Sequence, residues 1–357
     1  MVFFQTIFPG EVRKMETVVL GLSGGVDSAV SAWLLKERGF RVRGVYLDVG
    51  TGPDGEQSAR QAAEGLGIPL RVVDIRRELE EHVCVPFARD YLAGKTPLPC
   101  ARCNRLVKFP ALFRAAEELG ATKVATGHYA RILREGGRAY LCKGRPTNDQ
   151  SYLLARLSRE QVARILFPLG EMEKTEVRKK AEELGLSAAH KPDSMEICFI
   201  PDQDYAAWLE RRGAAAPPGN FVDTKGNVLG RHKGIHHYTI GQRRGLGIPA
   251  EHRLFVSAIL PKTNEVVLSD GKDLLAEWAY GTKLNLLAET LPARVTVRLR
   301  HSRQETPAEL EVREDQVKIH LLEPARAPTP GQMAVFYQND RVMGSAWLMA
   351  KEESPWS

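Results

Sequence analysis

The chain changes its hydrophobic period partway along. From Thr17 to about Ile200, short β-branched and aliphatic runs alternate with stretches whose apolar positions recur every three or four residues. That is the pattern of parallel strands joined by helices that cover both faces of a sheet. It predicts strands at Val18–Gly21, Arg41–Leu47, Leu70–Asp74 and Lys123–Thr126, and helices at Ala29–Arg38, Glu56–Leu66 and Phe109–Leu119. Gly39, Gly67 and Gly120 sit where helix C-terminal glycines belong. Gly213-Ala214-Ala215-Ala216-Pro217-Pro218-Gly219 then reads as a linker, and beyond it hairpin-type turns dominate, at Asp223–Asn227, Pro261–Asn264 and Ser269–Gly271. From about Thr282 the residues alternate, in Arg294–Arg300 and in Gln332–Tyr337, as in a small β-barrel. The expected fold class is α/β: a doubly wound parallel sheet, then a small linker or central domain, then a C-terminal β-barrel. The expected spans are an extension 1–15 and domains 16–205, 206–278 and 279–357.

With 357 residues, 43% of them hydrophobic, the chain can bury two or three cores, and disorder is excluded as a default. A formal charge of +6 favours an acidic partner such as nucleic acid or nucleotide. No apolar run is long enough to span a bilayer, and the stretch Met1–Pro9 lacks the basic start of a secretory signal, so a cytoplasmic location is expected. Five cysteines in a reducing compartment speak against a disulfide framework and for reactive or metal-binding thiols.

The first predicted strand runs into Ser23-Gly24-Gly25-Val26-Asp27-Ser28 and then into a helix. Two glycines let backbone N–H groups close on an anion, the helix start adds its positive end, and Ser23 and Ser28 can donate hydroxyls. No lysine follows the glycines, unlike the loop of kinases and GTPases. The Ser-Gly-Gly-x-Asp-Ser form resembles the pyrophosphate loop of ATP pyrophosphatases, which cleave ATP to AMP and pyrophosphate while adenylating an oxygen. In a doubly wound sheet this loop and Thr126-Gly127-His128-Tyr129 should face one crevice at the strand ends.

Cys100-Ala101-Arg102-Cys103 and a distant Cys198 make the second constellation. A C-x-x-C pair reads as a redox dithiol, as two ligands of a metal or cluster, or as one reactive thiol with a coincidental neighbour. Structural zinc is not expected, since no second close Cys or His pair completes four ligands. Cys84 and Cys142 read as small core or surface residues.

Ser23–Ser28, Cys103–Phe109, Thr126–Arg131, Asp149–Tyr152, Ile197–Pro201 and Tyr238–Gly247, in this order, make the chain similar to the tRNA-specific 2-thiouridylases from about Met15 to Trp347. The resemblance implies that ATP adenylates O2 of the wobble uridine of tRNA and that a sulfur nucleophile then displaces AMP. It implies Cys198 as carrier of a persulfide delivered by a sulfur donor, and Cys103 as the nucleophile or resolving thiol able to pair with it. Lys108 and Asn104 beside Cys103 favour a reactive thiolate. ATP would meet Gly21, Leu22, Ser23, Gly24, Gly25, Val26, Asp27, Ser28, Leu47 and Gly127, with Asp27 helping to place Mg²⁺. Transfer RNA would meet Leu98, Pro99, Cys100, His128, Asn148, Asp149, Gln150, Arg300, His301 and Gln332. Arg243, Arg244, Arg298 and Arg303 are candidate phosphate contacts, and the target base should be unstacked for chemistry at O2.

Three positions depart from the family's usual pattern: Leu98-Pro99-Cys100 stands for Asn-Pro-Asp, Asn148 for Lys, and Met195 for Gln before Glu196. Cys100 thereby makes a three-thiol set with Cys103 and Cys198 that could hold a [4Fe–4S] cluster with one open iron. The rival functions are an ATP-dependent small-molecule ligase or amidating synthetase, which needs no reactive cysteine pair, and a non-catalytic RNA-binding or metal-storage module, which leaves the loop unexplained.

Overall fold

The computed structural model describes residues 15–189, 197–301, 304–326 and 328–356. Met195, Glu196, Arg303 and nearly all of the N-terminal extension lie outside them. The first layer is an all-parallel sheet of β1 (Thr17–Gly21), β2 (Arg41–Asp48), β3 (Leu70–Asp74), β4 (Lys123–Ala125) and β7 (Ile165–Leu166), in the order β3-β2-β1-β4-β7. The four predicted strands are there, and the two-residue β7, too short to carry a period, is the one the sequence pattern misses. The predicted helices run Val26–Glu37, Asp54–Gly65 and Phe109–Glu118, the last entered through Pro99–Cys103 and a π-turn at Asn104–Lys108. Gly39, Gly67 and Gly120 follow them in the left-handed conformation.

The strand order reverses beside β1, so the loops after β1 and β4 flank the topological switch point where such sheets bind ligands. Val18, Leu20, Val26 and Val30 form one core on one side of the sheet. Val19, Phe109 and Leu112 form another on the other side.

One antiparallel element interrupts the alternation. The hairpin of β5 (Ala130–Glu135) and β6 (Arg138–Lys143) leaves the parallel sheet altogether. It joins the barrel instead, where β6 meets the last strand at Cys142 and Arg341. The pattern of two-sided coverage gave no warning of this, because an isolated hairpin has the same β-branched composition wherever it pairs.

The middle unit is a four-stranded sheet of β8 (Gly219–Val222), β9 (Val228–His232), β10 (Phe255–Leu260) and β11 (Glu265–Ser269), ordered β10-β11-β8-β9. Asp223–Asn227 and Pro261–Asn264 are hairpin turns between antiparallel partners, as expected. Ser269–Gly271 is not a hairpin turn, since it leads from β11 into a different sheet. The Ala/Pro stretch before β8 is not a free linker either: Ala216 N–H donates to His236 Nδ1 at 3.2 Å, and Asn264 Nδ2 donates to the Pro217 carbonyl at 2.9 Å.

The barrel closes through β12 (Leu275–Leu286), β13 (Arg294–Arg298), β14 (Thr306–Arg313), β15 (Gln316–Arg326), β16 (Met333–Gln338) and β17 (Arg341–Met349), with β12 pairing both β15 and β17. Its central strand β16 is buried on both faces. Ala334 and Phe336 fill the barrel, whereas Met333, Val335 and Tyr337 belong to the core under the parallel sheet. The barrel is thus fixed to the first unit by shared apolar core, a far stiffer joint than a linker.

Candidate active site

The loop after β1 reads as its sequence suggested, but its two glycines serve different ends. Gly24 has φ +78°, and a Cβ there would stand 2.5 Å from the Ser58 carbonyl carbon of the helix Asp54–Gly65. Gly25 meets nothing closer than Ser23 Oγ at 3.5 Å, so its missing side chain leaves space rather than relieving a clash. Ser28 Oγ donates to the Gly25 carbonyl at 2.9 Å and accepts from Ser23 N–H at 3.2 Å, which ties Leu22–Ser28 into a closed turn. Gly127 rests directly on this turn, because a Cβ on it would lie 2.9 Å from the Asp27 carbonyl carbon and 3.0 Å from Ser28 N. Leu47 is half-buried at the end of β2, next in the sheet to β1. Gly21, Leu22, Val26 and the rest of the loop are therefore gathered with Gly127 and Leu47 at one end of the sheet.

Asp27 is not free to take a metal ion. Lys174 Nζ lies 2.7 Å from each of its carboxylate oxygens, and Tyr129 Oη donates to Oδ1 at 2.6 Å. With Lys174 in place the carboxylate is already neutralised and offers a Mg²⁺ ion little charge, and no step is derived through that ion. Lys174, at the start of the helix Lys174–Glu183, is the residue that sequence reasoning missed. It is 147 positions from Asp27, and no spacing rule links them.

The residue after Gly127 shares a charged neighbour with the thiols. His128 follows Gly127 and packs between Phe109 and Phe167, with Nδ1 2.7 Å from Thr126 Oγ1. Burial, with the Lys108 ammonium adding to it, holds its pKa well below the ordinary value, so the imidazole is neutral. Lys108 also faces Cys100, Cys103 and Cys198 and pulls each thiol pKa down. Desolvation by the surrounding protein outweighs that pull at all three, although only Cys103 is buried outright and Cys100 and Cys198 keep exposed surface. Cys198 is pushed up to about 11, by burial and then by Cys103. The expectation of a resting thiolate is therefore corrected: one ammonium does not repay the desolvation of sulfur in this setting, and the thiols are protonated near neutral pH. Asn104 acts structurally, its Nδ2 donating to the Leu153 carbonyl at 3.0 Å.

Cys84 is a core residue, its thiol pushed up to about 12 chiefly by burial, and Cys142 is buried in β6. The three crevice thiols do not form a compact single-ion site. Among the described residues the one His/Cys/Asp/Glu set with all ligand atoms within 4.8 Å is Glu210, His236 and His237. There His236 Nδ1 accepts the Ala216 N–H, so Nε2 carries the proton and turns it toward Glu210. That proton closes the set to a cation and makes it a structural tie between the helix Tyr205–Arg211 and the segment Ile235–His237.

The candidate RNA residues approach the thiols from the barrel side. Gln332 Nε2 donates to the Thr96 carbonyl at 3.0 Å, and Thr96 N–H donates to the Pro330 carbonyl at 2.8 Å. The segment Thr96–Pro99 that enters the helix of Cys100 is thus pinned by the barrel loop, and Leu98 packs on the shared core. Arg300 donates to the Ile240 carbonyl at 3.0 Å and to Thr329 Oγ1 at 2.6 Å, joining the Tyr238–Gly247 motif to the barrel. His301 is exposed, 5.9 Å ring to ring from Tyr152. Gln150 exchanges two bonds with the Tyr129 backbone, at 2.8 and 3.0 Å. Asn148 lies against Glu173.

Two polar candidates point inward instead. Arg298 is held by Asp149 and Glu305, with side chains only 10%, 4% and 22% exposed. Its guanidinium is committed inside the protein, so the expectation that Arg298 meets phosphate is corrected. Asp149 caps Gly144 and Ser151 N–H groups as well, and shapes the segment rather than offering a carboxylate outward. Arg243 and Arg244 are exposed, as a phosphate contact requires.

A five-stranded parallel sheet with a Ser-Gly-Gly-x-Asp-Ser turn at its switch point defines a nucleotide-utilising α/β enzyme of the pyrophosphate-loop class. Family models match almost the whole chain: a tRNA methyl transferase HUP domain over 16–202, a tRNA methyl transferase PRC-barrel domain over 206–270 and an aminomethyltransferase beta-barrel domain over 277–348. The tRNA-specific 2-thiouridylase of Syntrophotalea carbinolica is 44% identical over 94% of this chain and 99% of its own. That of Geobacter metallireducens is 43% identical over 95% and 98%. The chain belongs to the tRNA-specific 2-thiouridylase family. No helix among the described residues is long and apolar enough to cross a membrane.

Proposed function

We propose that the protein replaces O2 of the wobble uridine of a tRNA by sulfur, at the expense of ATP. The observation that carries this reading is the adjacency of Gly127 and His128. The first rests on the loop at Asp27 and Ser28, and the second shares the Lys108 ammonium with Cys100, Cys103 and Cys198. A base whose O2 is adenylated at the loop would have the thiols within the same crevice.

In this reading uracil O2 attacks the α-phosphorus of ATP and pyrophosphate leaves. The outer sulfur of a persulfide on Cys198, supplied by a protein sulfur donor, then attacks C2 and AMP departs with the former O2. Cys103 attacks the inner sulfur of Cys198, the S–S bond electrons pass to the new thiocarbonyl, and a Cys103–Cys198 disulfide remains for a thiol reductant to open. Neutral His128 and cationic Lys108 orient the base edge and stabilise charge on sulfur. The Arg243-Arg244 pair, Arg300, His301 and Gln332 flank the entry of the anticodon loop.

A [4Fe–4S] cluster on Cys100, Cys103 and Cys198 would have three soft ligands and no fourth, and no step is routed through it. The test is release of AMP and pyrophosphate by the purified chain with tRNAs that carry or lack a wobble uridine. Release that depends on that uridine, lost in Ser28→Ala, supports the reading. Release indifferent to tRNA would turn it toward a small-molecule ligase.

A further inference from the structure

The loop Leu22–Ser28 carries no cation of its own, although the pyrophosphate it is read to hold is multiply charged. We propose that Lys174 supplies this missing charge: it is a phosphate-binding residue, and Asp27 is the place where it waits. The inference rests on the reading of the loop as a nucleotide site and adds a residue to it.

Three observations support it. Lys174 Nζ reaches both Asp27 oxygens at 2.7 Å, beside the start of the helix that the loop feeds. Its side chain is 19% exposed, so it is largely shielded rather than on a solvated surface. Its place in its own helix is locally unfavourable. It is the first helical residue, where a cation opposes the helix dipole and an acid is preferred. The backbone is nevertheless fixed there by a capping box in which Glu173 and Glu176 satisfy each other's N–H groups. The same helix is held against Val26–Glu37 by Val177 and Ala181, both fully buried in the core of that layer. A lysine held in a costly position by so much structure, and aimed at the loop, serves what the loop binds.

The pair also explains the Asp27 carboxylate. Without nucleotide, Asp27 holds the ammonium near the loop, and the Tyr129 hydroxyl, by donating to Asp27, fixes that carboxylate in place. When phosphate oxygens enter, Lys174 turns from one anion to another a few ångströms away and the side chain needs no new backbone position.

The experiment measures pyrophosphate binding by calorimetry, without added metal, to the parent chain, Lys174→Met, Lys174→Arg and the double variant Asp27→Asn/Lys174→Met. Thermal midpoints and tRNA affinity are measured alongside. The expected result is at least tenfold weaker binding in Lys174→Met, partial recovery in Lys174→Arg, and no recovery in the double variant, with tRNA affinity unchanged. Wild-type affinity in Lys174→Met, or its return in the double variant, would mean that the lysine only neutralises Asp27 and would overturn the proposal. Failure of the parent chain itself to bind pyrophosphate would instead remove the nucleotide reading of the loop.

Discussion

Gln332 donates a hydrogen bond to the carbonyl of Thr96 across 236 residues of chain, at 3.0 Å. Through it a barrel residue fixes the approach to Cys100 and Cys103, so barrel position and thiol geometry are one variable. Gly331 beside it makes the same point sterically. It has φ +91°, and a Cβ there would lie 2.8 Å from the Thr96 oxygen. Gly331→Ala should therefore displace Thr96–Pro99 and lower kcat/KM for tRNA by about tenfold or more, as for other ångström-scale misplacements. Pyrophosphate binding at the loop after β1, which Gly331 and Thr96 do not touch, should be unchanged, and steady-state kinetics with calorimetry separate the two.

Thiol reactivity should follow the raised pKa values. Thiolate is the species that iodoacetamide alkylates. With Cys198 pushed up to about 11, its alkylation rate should climb about tenfold per pH unit from neutrality up to about pH 10. Lys108→Met removes the one charge that lowers these pKa values, so alkylation should slow further at a given pH. Mass spectrometry of the Cys198 peptide gives the rate, and a plateau below pH 8 would contradict the protonated resting state.

Arg298 joins two carboxylates that are nearly shut from water. Arg298→Ala leaves Asp149 and Glu305 without their partner and should cost about 3–5 kcal/mol of stability. Urea unfolding of this variant should show it. The salt dependence of tRNA binding should keep its slope, since Arg298 gives no charge to phosphate. Arg244→Ala should reduce that slope by about 0.7–0.9.

Cys103→Ser and Cys198→Ser should each abolish 2-thiouridine formation, read by nucleoside mass spectrometry. Cys100→Asp introduces the residue expected from the family resemblance and should retain activity in air with a persulfide donor. Loss of iron, brown colour and activity together in all three variants would establish the cluster route instead, because a carboxylate is a poorer iron ligand than a thiolate.

Period and punctuation were enough to determine four of the five strands of the parallel sheet, three of its helices and the alternating strands of a barrel. They suffice because a strand or helix buried on a known face must repeat at 2 or 3.6 residues. The Ser23–Ser28 turn was legible for a related reason: an anion loop is local, and its glycines and hydroxyls are adjacent in the chain. Tertiary structure alone decided the rest. Nothing in Ala130–Lys143 says that the hairpin pairs with β17, and nothing in β16 says that one face serves the barrel and the other the parallel sheet. Lys174 meets Asp27, and Gln332 meets Thr96, through separations that no local rule spans. The thiols look activated in sequence because Lys108 is near. Only the packing shows that, at buried Cys103, the water removed from sulfur outweighs the charge beside it.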